Sequence, residues 1–210
     1  MTPLFGVYGA SGCGRGIMPL VRAAHASDDA RLVFIDDAPR AEQVNGHDIW
    51  NFDRFASEPA TLRRVAIAIA NPGVRERLDR RCFAAGMTVV GVAAKNAVIM
   101  DDVEIGEGAL LSPFVTLTSN IRIGRCFHAN LYAYVEHDCI IGDYVTFAPG
   151  VCCNGNVTIG DRAYIGSGAM IRQGVTIGAG ATIGMGAVVI KDVPAGATVV
   201  GNPAAPMEEK

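Results

Sequence analysis

Aromatic side chains are scarce in this 210-residue chain, at 7%, and only one of them is tryptophan. Proteins that grip single-stranded nucleic acid stack bases on aromatic rings, so that class is disfavoured. Positive charge is not in excess either. The formal net charge of −3 offers no electrostatic footprint for a phosphate backbone. No apolar run reaches eighteen residues, and no basic stretch leads into a long apolar one near the start. Membrane insertion is not expected, and the expected compartment is the cytoplasm. The six cysteines (Cys13, Cys82, Cys126, Cys139, Cys152 and Cys153) include no C-x-x-C pair. A secreted disulfide framework is therefore not indicated, and buried thiols are the expectation.

What the chain does have is a six-residue period. From Val103 to Ala187 every sixth residue is apolar, in fifteen consecutive matches. A second apolar column lies two places on, from Ile105 and Leu111 through Ile177 and Ile183 to Val189. A spacing of two puts both columns on one face of a short strand. Glycine follows the second column at 106, 124, 142, 160, 166, 178 and 184, where it is expected to supply the backbone conformation of a turn. Unbroken phase over this length argues for a parallel β-helix rather than a sandwich of Val-rich strands. Three hexads make one coil, so residues eighteen apart should stack. The stretch 97–192 then gives about five coils spaced by roughly 4.8 Å.

Upstream the pattern changes. Leu4 to Tyr8 is a short apolar run that ends in Gly9-Ala10-Ser11-Gly12-Cys13-Gly14-Arg15-Gly16, with a helical pattern after it. Strand, glycine-rich turn and helix offer backbone N–H groups to phosphate. The glycine spacing fits neither G-x-G-x-x-G nor the Walker pattern, and a tight structural turn would read the same way. Leu32 to Ile35 is a second strand ending in Asp36-Asp37, which could meet a ribose hydroxyl or be solvated turn acids. Val44 to Trp50 reads as a small strand around Asn45-Gly46. Val65 to Ile69 is a third core strand, then Asn71-Pro72 opens a helix that Gly86 ends, and Thr88 to Val92 is a fourth strand. There is room for only half of a doubly wound fold, which disfavours a complete NAD site. Ser11, Asp36 and Asn71 should converge beyond the carboxyl ends of the strands. The expected division is an α/β half-Rossmann-like domain over 1–94 and a β-helix over 95–210.

The combination G-A-S-G-x-G, I-D-D, A-I-A-N-P-x-x-R and hexads containing V-E-H-D resembles the hexapeptide-repeat sugar acetyltransferases. These are the sialic-acid, bacillosamine and nucleotide-linked 4-amino-4,6-dideoxy-sugar enzymes, and the likeness spans essentially the full chain. It implies a left-handed parallel β-helix, a homotrimer, acetyl-CoA bound between neighbouring subunits, and a nucleotide sugar on the N-terminal domain. Ser11, Gly12, Asp36, Asp37 and Asn71 match the nucleotide-site pattern. Relatives commonly carry His where this chain has Cys13, so a substrate contact at Cys13 departs from the pattern.

Of the four histidines, only His137 sits in an acidic frame, Glu136-His137-Asp138, at a turn that points away from the core. Amide formation from acetyl-CoA needs an unprotonated amine and a stabilised tetrahedral oxyanion. A neutral imidazole can take the amine's proton. The resemblance makes Asp138 the residue that orients the ring, with Glu136 second. Position 155 is one coil on from 137, so Gly155 should lie at the same corner with its N–H open to a thioester carbonyl, and it matches the family's oxyanion donor. Asn130 either contacts the sugar amine or serves its turn. Gly166-Ser167 and Gly184-Met185 stack eighteen apart, in the lane that holds the pantetheine arm in relatives. Lys191 either meets a CoA phosphate or is solvated. No inserted loop interrupts the coils, so the N-terminal domain should hold most of the acceptor.

O-acetylation of a sialic-acid-type hydroxyl is the nearest alternative, since the motif does not separate amine from hydroxyl. A zinc-dependent carbonic anhydrase needs three metal ligands, but only His128 and His137 lie in the repeats. No metal is expected. A non-catalytic nucleotide-binding scaffold is the remaining class.

Overall fold

The computed structural model describes residues 2–25 and 29–207. The chain divides into two compact units: Met1–Ala70 with Val74–Val92, and Asn71–Gly73 with Ala93–Lys210. Among the described residues no helix is long and apolar enough to cross a membrane.

The first unit is an α/β layer structure. Its strands are β1 (Leu4–Tyr8), β2 (Arg31–Ile35), β3 (Gln43–Val44), β4 (His47–Trp50), β5 (Arg63–Ile67) and β6 (Thr88–Val89), in the spatial order β3-β4-β2-β1-β5-β6. All neighbours are parallel except the β3–β4 hairpin, which turns at Asn45-Gly46. Central β1 is buried along its whole length, as its continuous apolar run requires when both sheet faces are covered. Helices α1 (Gly12–Ala24), α2 (Phe52–Ser57) and α3 (Pro72–Ala84) connect the strands. Gly14 lets α1 start tight against β1, because a Cβ there would strike the Gly9 carbonyl oxygen. The third strand begins and ends two residues before the sequence reading. The run Thr88–Val92 also divides: Thr88–Val89 closes this sheet beside β5, and Val92–Ala93 instead starts a sheet of the repeats.

The second unit is a parallel β-helix with three faces. Face one runs from Val92–Ala93 through Leu110–Leu111, His128–Ala129, Thr146–Phe147 and Tyr164–Ile165 to Thr182–Ile183 and Thr198–Val200. Face two stacks Val98–Ile99, Thr116–Leu117, Tyr134–Val135, Cys152–Cys153, Met170–Ile171 and Val188–Val189. Face three stacks Val103–Ile105, Ile121–Ile123, Ile140–Ile141, Thr158–Ile159 and Thr176–Ile177. Partners are eighteen residues apart, as in Tyr134↔Cys152↔Met170↔Val188. Both apolar columns point inward and form one core, including Cys139 and Cys153. The register shortens only at the end, where Ile177 meets Val193 and Thr182 meets Thr198, sixteen residues on.

The corners correct one expectation about glycine. The left-handed backbone does not fall on Gly106, Gly124, Gly142, Gly160, Gly166, Gly178 and Gly184 but two residues later. It recurs at every sixth position from Asp102 (φ 54°) and Gly108 (φ 76°) through Asp138 (φ 60°) to Gly186 (φ 67°). The earlier glycines are there for space. A Cβ on Gly106 or Gly166 would lie 2.6 Å from a backbone nitrogen of the next coil. Coils therefore approach at one corner position and reverse direction at another. Glycine is the commonest residue of the reversing column, and Asp and Asn, which together come next, tolerate that conformation better than most.

Candidate active site

In the first unit, the carboxyl ends of β1 and β2 and the start of α1 enclose a cavity of about 510 Å³ lined by Ser11, Gly12, Arg15, Asp36, Arg40 and Gln43, among others. Ser11 is the N-cap of α1, yet its side chain makes no capping bond, so the hydroxyl is not spent on the helix. Asp36 holds the rim of the cavity, its carboxylate accepting from the amides of Ala38 (3.0 Å) and Ala10 (3.4 Å). Arg15 and Arg40 put two basic residues on the same lining. They were missed in the sequence, although Arg15 lies inside the glycine run and Arg40 follows the I-D-D strand end.

The other residues singled out in this unit are placed differently. Asp37 does not line the cavity. Its carboxylate accepts from the Tyr8 hydroxyl at 2.6 Å and the Phe52 amide at 3.0 Å, and pairs with Arg81 at 2.5 Å. The Arg81 guanidinium also lies 3.8 Å over the Phe52 ring. Partial burial works against the Asp37 charge, but these partners outweigh it and hold its carboxyl below the usual range. Cys13 also lies off the cavity lining, and burial pushes its thiol up to about 11. Asn71 is exposed, groups with the second unit and is not part of the lining. Of the expected trio, Ser11 and Asp36 both line the cavity.

In the β-helix the candidates divide between two corners. Asn130, Gly166, Ser167, Gly184 and Met185 lie where face one turns into face two. The Gly166 amide bonds to Ile183 and the Gly186 amide to Ser167, so this lane is stacked coil upon coil. The Asn130 side chain accepts from the Leu131 amide at 2.8 Å, a local bond within the turn, and its backbone is not left-handed. Phe114 and Tyr132 on the same corner are exposed and stacked, with ring centroids 5.0 Å apart.

Glu136, His137, Asp138, Gly155 and Lys191 lie at the other corner, between faces two and three. The Asn156 amide donates to the His137 carbonyl at 2.9 Å, which sets residue 155 beside residue 137 in the next coil. A Cβ on Gly155 would sit 2.5 Å from Cε1 and 2.6 Å from Nε2 of His137, so only glycine lets the ring lie there. His137 Nδ1 is 2.8 Å from Asp138 Oδ2. An ionised carboxylate only accepts, so Nδ1 carries the proton and Nε2 keeps its lone pair. The Asp138 bond raises the imidazole above its ordinary pKa. Reciprocally, His137 first and then Asn120, which donates to Asp138 Oδ1 at 3.2 Å, hold the Asp138 carboxyl low. Asn120 was missed, yet it stands one coil before Asp138 and the same arithmetic that found Gly155 finds it. Glu136 donates its amide to the Cys153 carbonyl and is half-buried. Lys191 lies three coils beyond His137, about 14 Å at roughly 4.8 Å per coil. His128 is buried in face one, on a different side of the helix from His137.

Residues 156–191 match the family model for the bacterial transferase hexapeptide (six repeats). Over 213 residues the chain is 48% identical to GDP-perosamine N-acetyltransferase of Escherichia coli O157:H7, covering 98% of this chain and 96% of the relative. The chain belongs to the hexapeptide-repeat transferase family. This transferase is also similar to WeeI from Acinetobacter baumannii AYE, at 52% identity and a TM-score of 0.94, with 98% of this chain and 100% of that one covered. It resembles the acetyltransferase domain of PglB from Neisseria gonorrhoeae FA1090 in complex with acetyl coenzyme A, at 30% identity and a TM-score of 0.88. That likeness covers 99% of this chain and 100% of the domain.

The contact between ring and glycine makes a direct prediction. Gly155→Ala should displace the imidazole and lower the turnover of the transferase about 100-fold, the usual cost of misplacing a reacting group by 1 Å. Steady-state kinetics on the folded variant check this.

Proposed function

We propose that this transferase moves the acetyl group of acetyl-CoA to the 4-amino group of a nucleotide-linked 4-amino-4,6-dideoxy sugar. The observation that carries the reading is His137, bonded to Asp138 and lying against Gly155. A relative at 48% identity that carries the name GDP-perosamine N-acetyltransferase favours an amine over a hydroxyl acceptor and guanosine diphosphate as the carrier. The acetyl coenzyme A bound to the PglB domain supports the donor.

The chemistry follows from the corner. The amine nitrogen attacks the thioester carbonyl carbon and forms the C–N bond, and the carbonyl oxygen becomes an oxyanion. His137 Nε2 takes the proton that the nitrogen loses, while Asp138 stabilises the imidazolium so formed. The Gly155 N–H donates to the oxyanion. Collapse breaks the C–S bond, and the imidazolium returns the proton to the departing CoA sulfur. Atoms and charge balance without a metal.

Substrates are assigned to separate regions. The cavity of the first unit takes the nucleoside diphosphate, its phosphates toward the first-turn amides of α1 with Arg15 and Arg40, and Asp36 toward a ribose hydroxyl. Gly166, Ser167, Gly184 and Met185 form the lane for the pantetheine arm. That lane and the His137 corner lie on different edges of one helix. A left-handed β-helix in a homotrimer would set the lane of one copy beside the His137 corner of the next. The exposed apolar Phe114, Leu131 and Tyr132 on the lane's edge support self-association. The N-terminal unit would then be the half-Rossmann-like nucleotide domain, and the enzyme would work in the cytoplasm.

Asp36→Ala should weaken binding of the GDP-linked amino sugar at least about tenfold, as expected for the loss of a charged hydrogen bond, and leave acetyl-CoA affinity unchanged; calorimetric titration of each ligand reads both. His137→Ala should lower kcat by about 10²–10⁴ with both substrates still bound, the usual share of general acid–base catalysis. Part of that loss should be recovered at high pH, where the amine loses its proton unaided. A variant with wild-type kcat at neutral pH would remove His137 from the reaction.

A further inference from the structure

Two thiols interrupt the apolar columns beside the reacting corner. On face three the inward column reads Val103, Ile121, Cys139, Val157, Val175, and on face two it reads Leu117, Val135, Cys153, Ile171, Val189. Both cysteines are fully buried. The Cys139 thiol donates to the Asn154 carbonyl oxygen at 3.2 Å, and the Cys153 thiol lies 3.9 Å from the same oxygen. The Cys139 thiol also lies 3.6 Å from the His137 carbonyl oxygen. At other corners, such as Gly166–Ala169 and Gly184–Ala187, the carbonyl at this position accepts directly from the amide three residues on. Here the Cys139 thiol supplies a donor to that carbonyl.

The Asn154 side chain secures the same residue from outside the core. Its Oδ1 accepts from the Tyr134 hydroxyl at 3.1 Å, and its Nδ2 donates to the Ile171 carbonyl at 2.7 Å. Tyr134, Asn154 and Ile171 belong to three successive coils of face two. The Asn154 amide bonds to the Ile171 carbonyl as well, at 3.2 Å. Residue 154 is therefore held through its amide, its carbonyl and both ends of its side-chain amide.

Its peptide bond to Gly155 makes this matter. A trans peptide is planar, and its C=O and N–H point in opposite directions. With the Asn154 oxygen tied to the core thiols, the Gly155 N–H must face outward, to the surface of the corner where the His137 ring lies. We propose that Cys139, Asn154 and Tyr134 are positioning residues that aim the Gly155 amide at the oxyanion of the acetyl transfer. The proposal rests on the reading of His137 and Gly155 given above and adds what holds the donor in place. It gives the buried thiols a role beyond filling space. Preorganised donors stabilise charge because they need no reorientation as the charge develops.

The test compares Cys139→Ala, Cys139→Ser, Asn154→Ala and Tyr134→Phe with the unaltered enzyme, using acetyl-CoA and a GDP-linked 4-amino sugar. Losing an oxyanion donor outright costs about 10²–10³ in kcat, so releasing its peptide plane should cost about tenfold or more. Cys139→Ala and Asn154→Ala should show that loss in kcat. Their KM values for both substrates should stay within about twofold, and in Asn154→Ala, which leaves the His137–Asp138 pair untouched, the pH at which the rate half-rises should not move. Cys139→Ser keeps a donor and should recover most of the rate lost in Cys139→Ala. If Cys139→Ala fails to fold, Asn154→Ala and Tyr134→Phe, which leave the core columns intact, decide the matter by the same kcat loss. The proposal is overturned if Asn154→Ala and Tyr134→Phe keep kcat within twofold, or if Cys139→Ser is as slow as Cys139→Ala. His137→Ala run alongside separates the two levels. A crippled His137→Ala with normal positioning variants sinks only this inference, whereas an active His137→Ala sinks the site assignment itself.

Discussion

Parallel pairing between residues eighteen apart is the constraint on which the β-helix and its candidate site both depend. Each two-residue strand is too short to be stable alone, and it exists because the coils on either side satisfy its backbone groups. The inward columns follow from the same pairing, since Val, Ile, Ala and Cys that stack on themselves close a continuous core. Such a ladder transmits position very well. Once Tyr134 is set opposite Cys152, residue 137 has little choice but to lie beside residue 155. The proposed reacting geometry is thus obtained from the regularity of the scaffold, and the local sequence need only supply His at one level and Gly at the next.

The regular backbone is put to use at that corner. Asp138 occupies a left-handed position that an ordinary residue would adopt with strain, and its carboxylate there orients the imidazole. Asn120 occupies the equivalent position one coil earlier and steadies that carboxylate. The first unit contrasts with this. Adjacent acids Asp36 and Asp37 take different environments, one at the rim of a cavity and the other locked by Tyr8, Phe52 and Arg81. Neighbouring residues on a strand end point to opposite sides, so a single motif can serve binding with one residue and structure with the next.

Much of this was legible in the sequence because it was periodic. The hexads specify the stacking interval, and stacking alone pairs Gly155 with His137. The role of the recurring glycines was misread, because close packing between coils and left-handed backbone both favour glycine, and composition alone does not separate them. Asn120 was legible and overlooked. Arg15 and Arg40 had only their places in the glycine run and after the strand end to mark them, and the Arg81 network was not legible, since it depends on how non-periodic segments of the first unit fold back on one another. Asn71, singled out by its motif, is not among the residues that line the cavity.

The central claim is that the imidazole of His137, raised by Asp138, is the base of the reaction. It is tested most directly by titrating the His137 ring by nuclear magnetic resonance and comparing its pKa with the pH at which kcat/KM half-rises. The account predicts that the two values coincide, that both lie above the ordinary histidine value, and that Asp138→Asn lowers both together. A rate profile that stays in place while the ring's titration moves would contradict it.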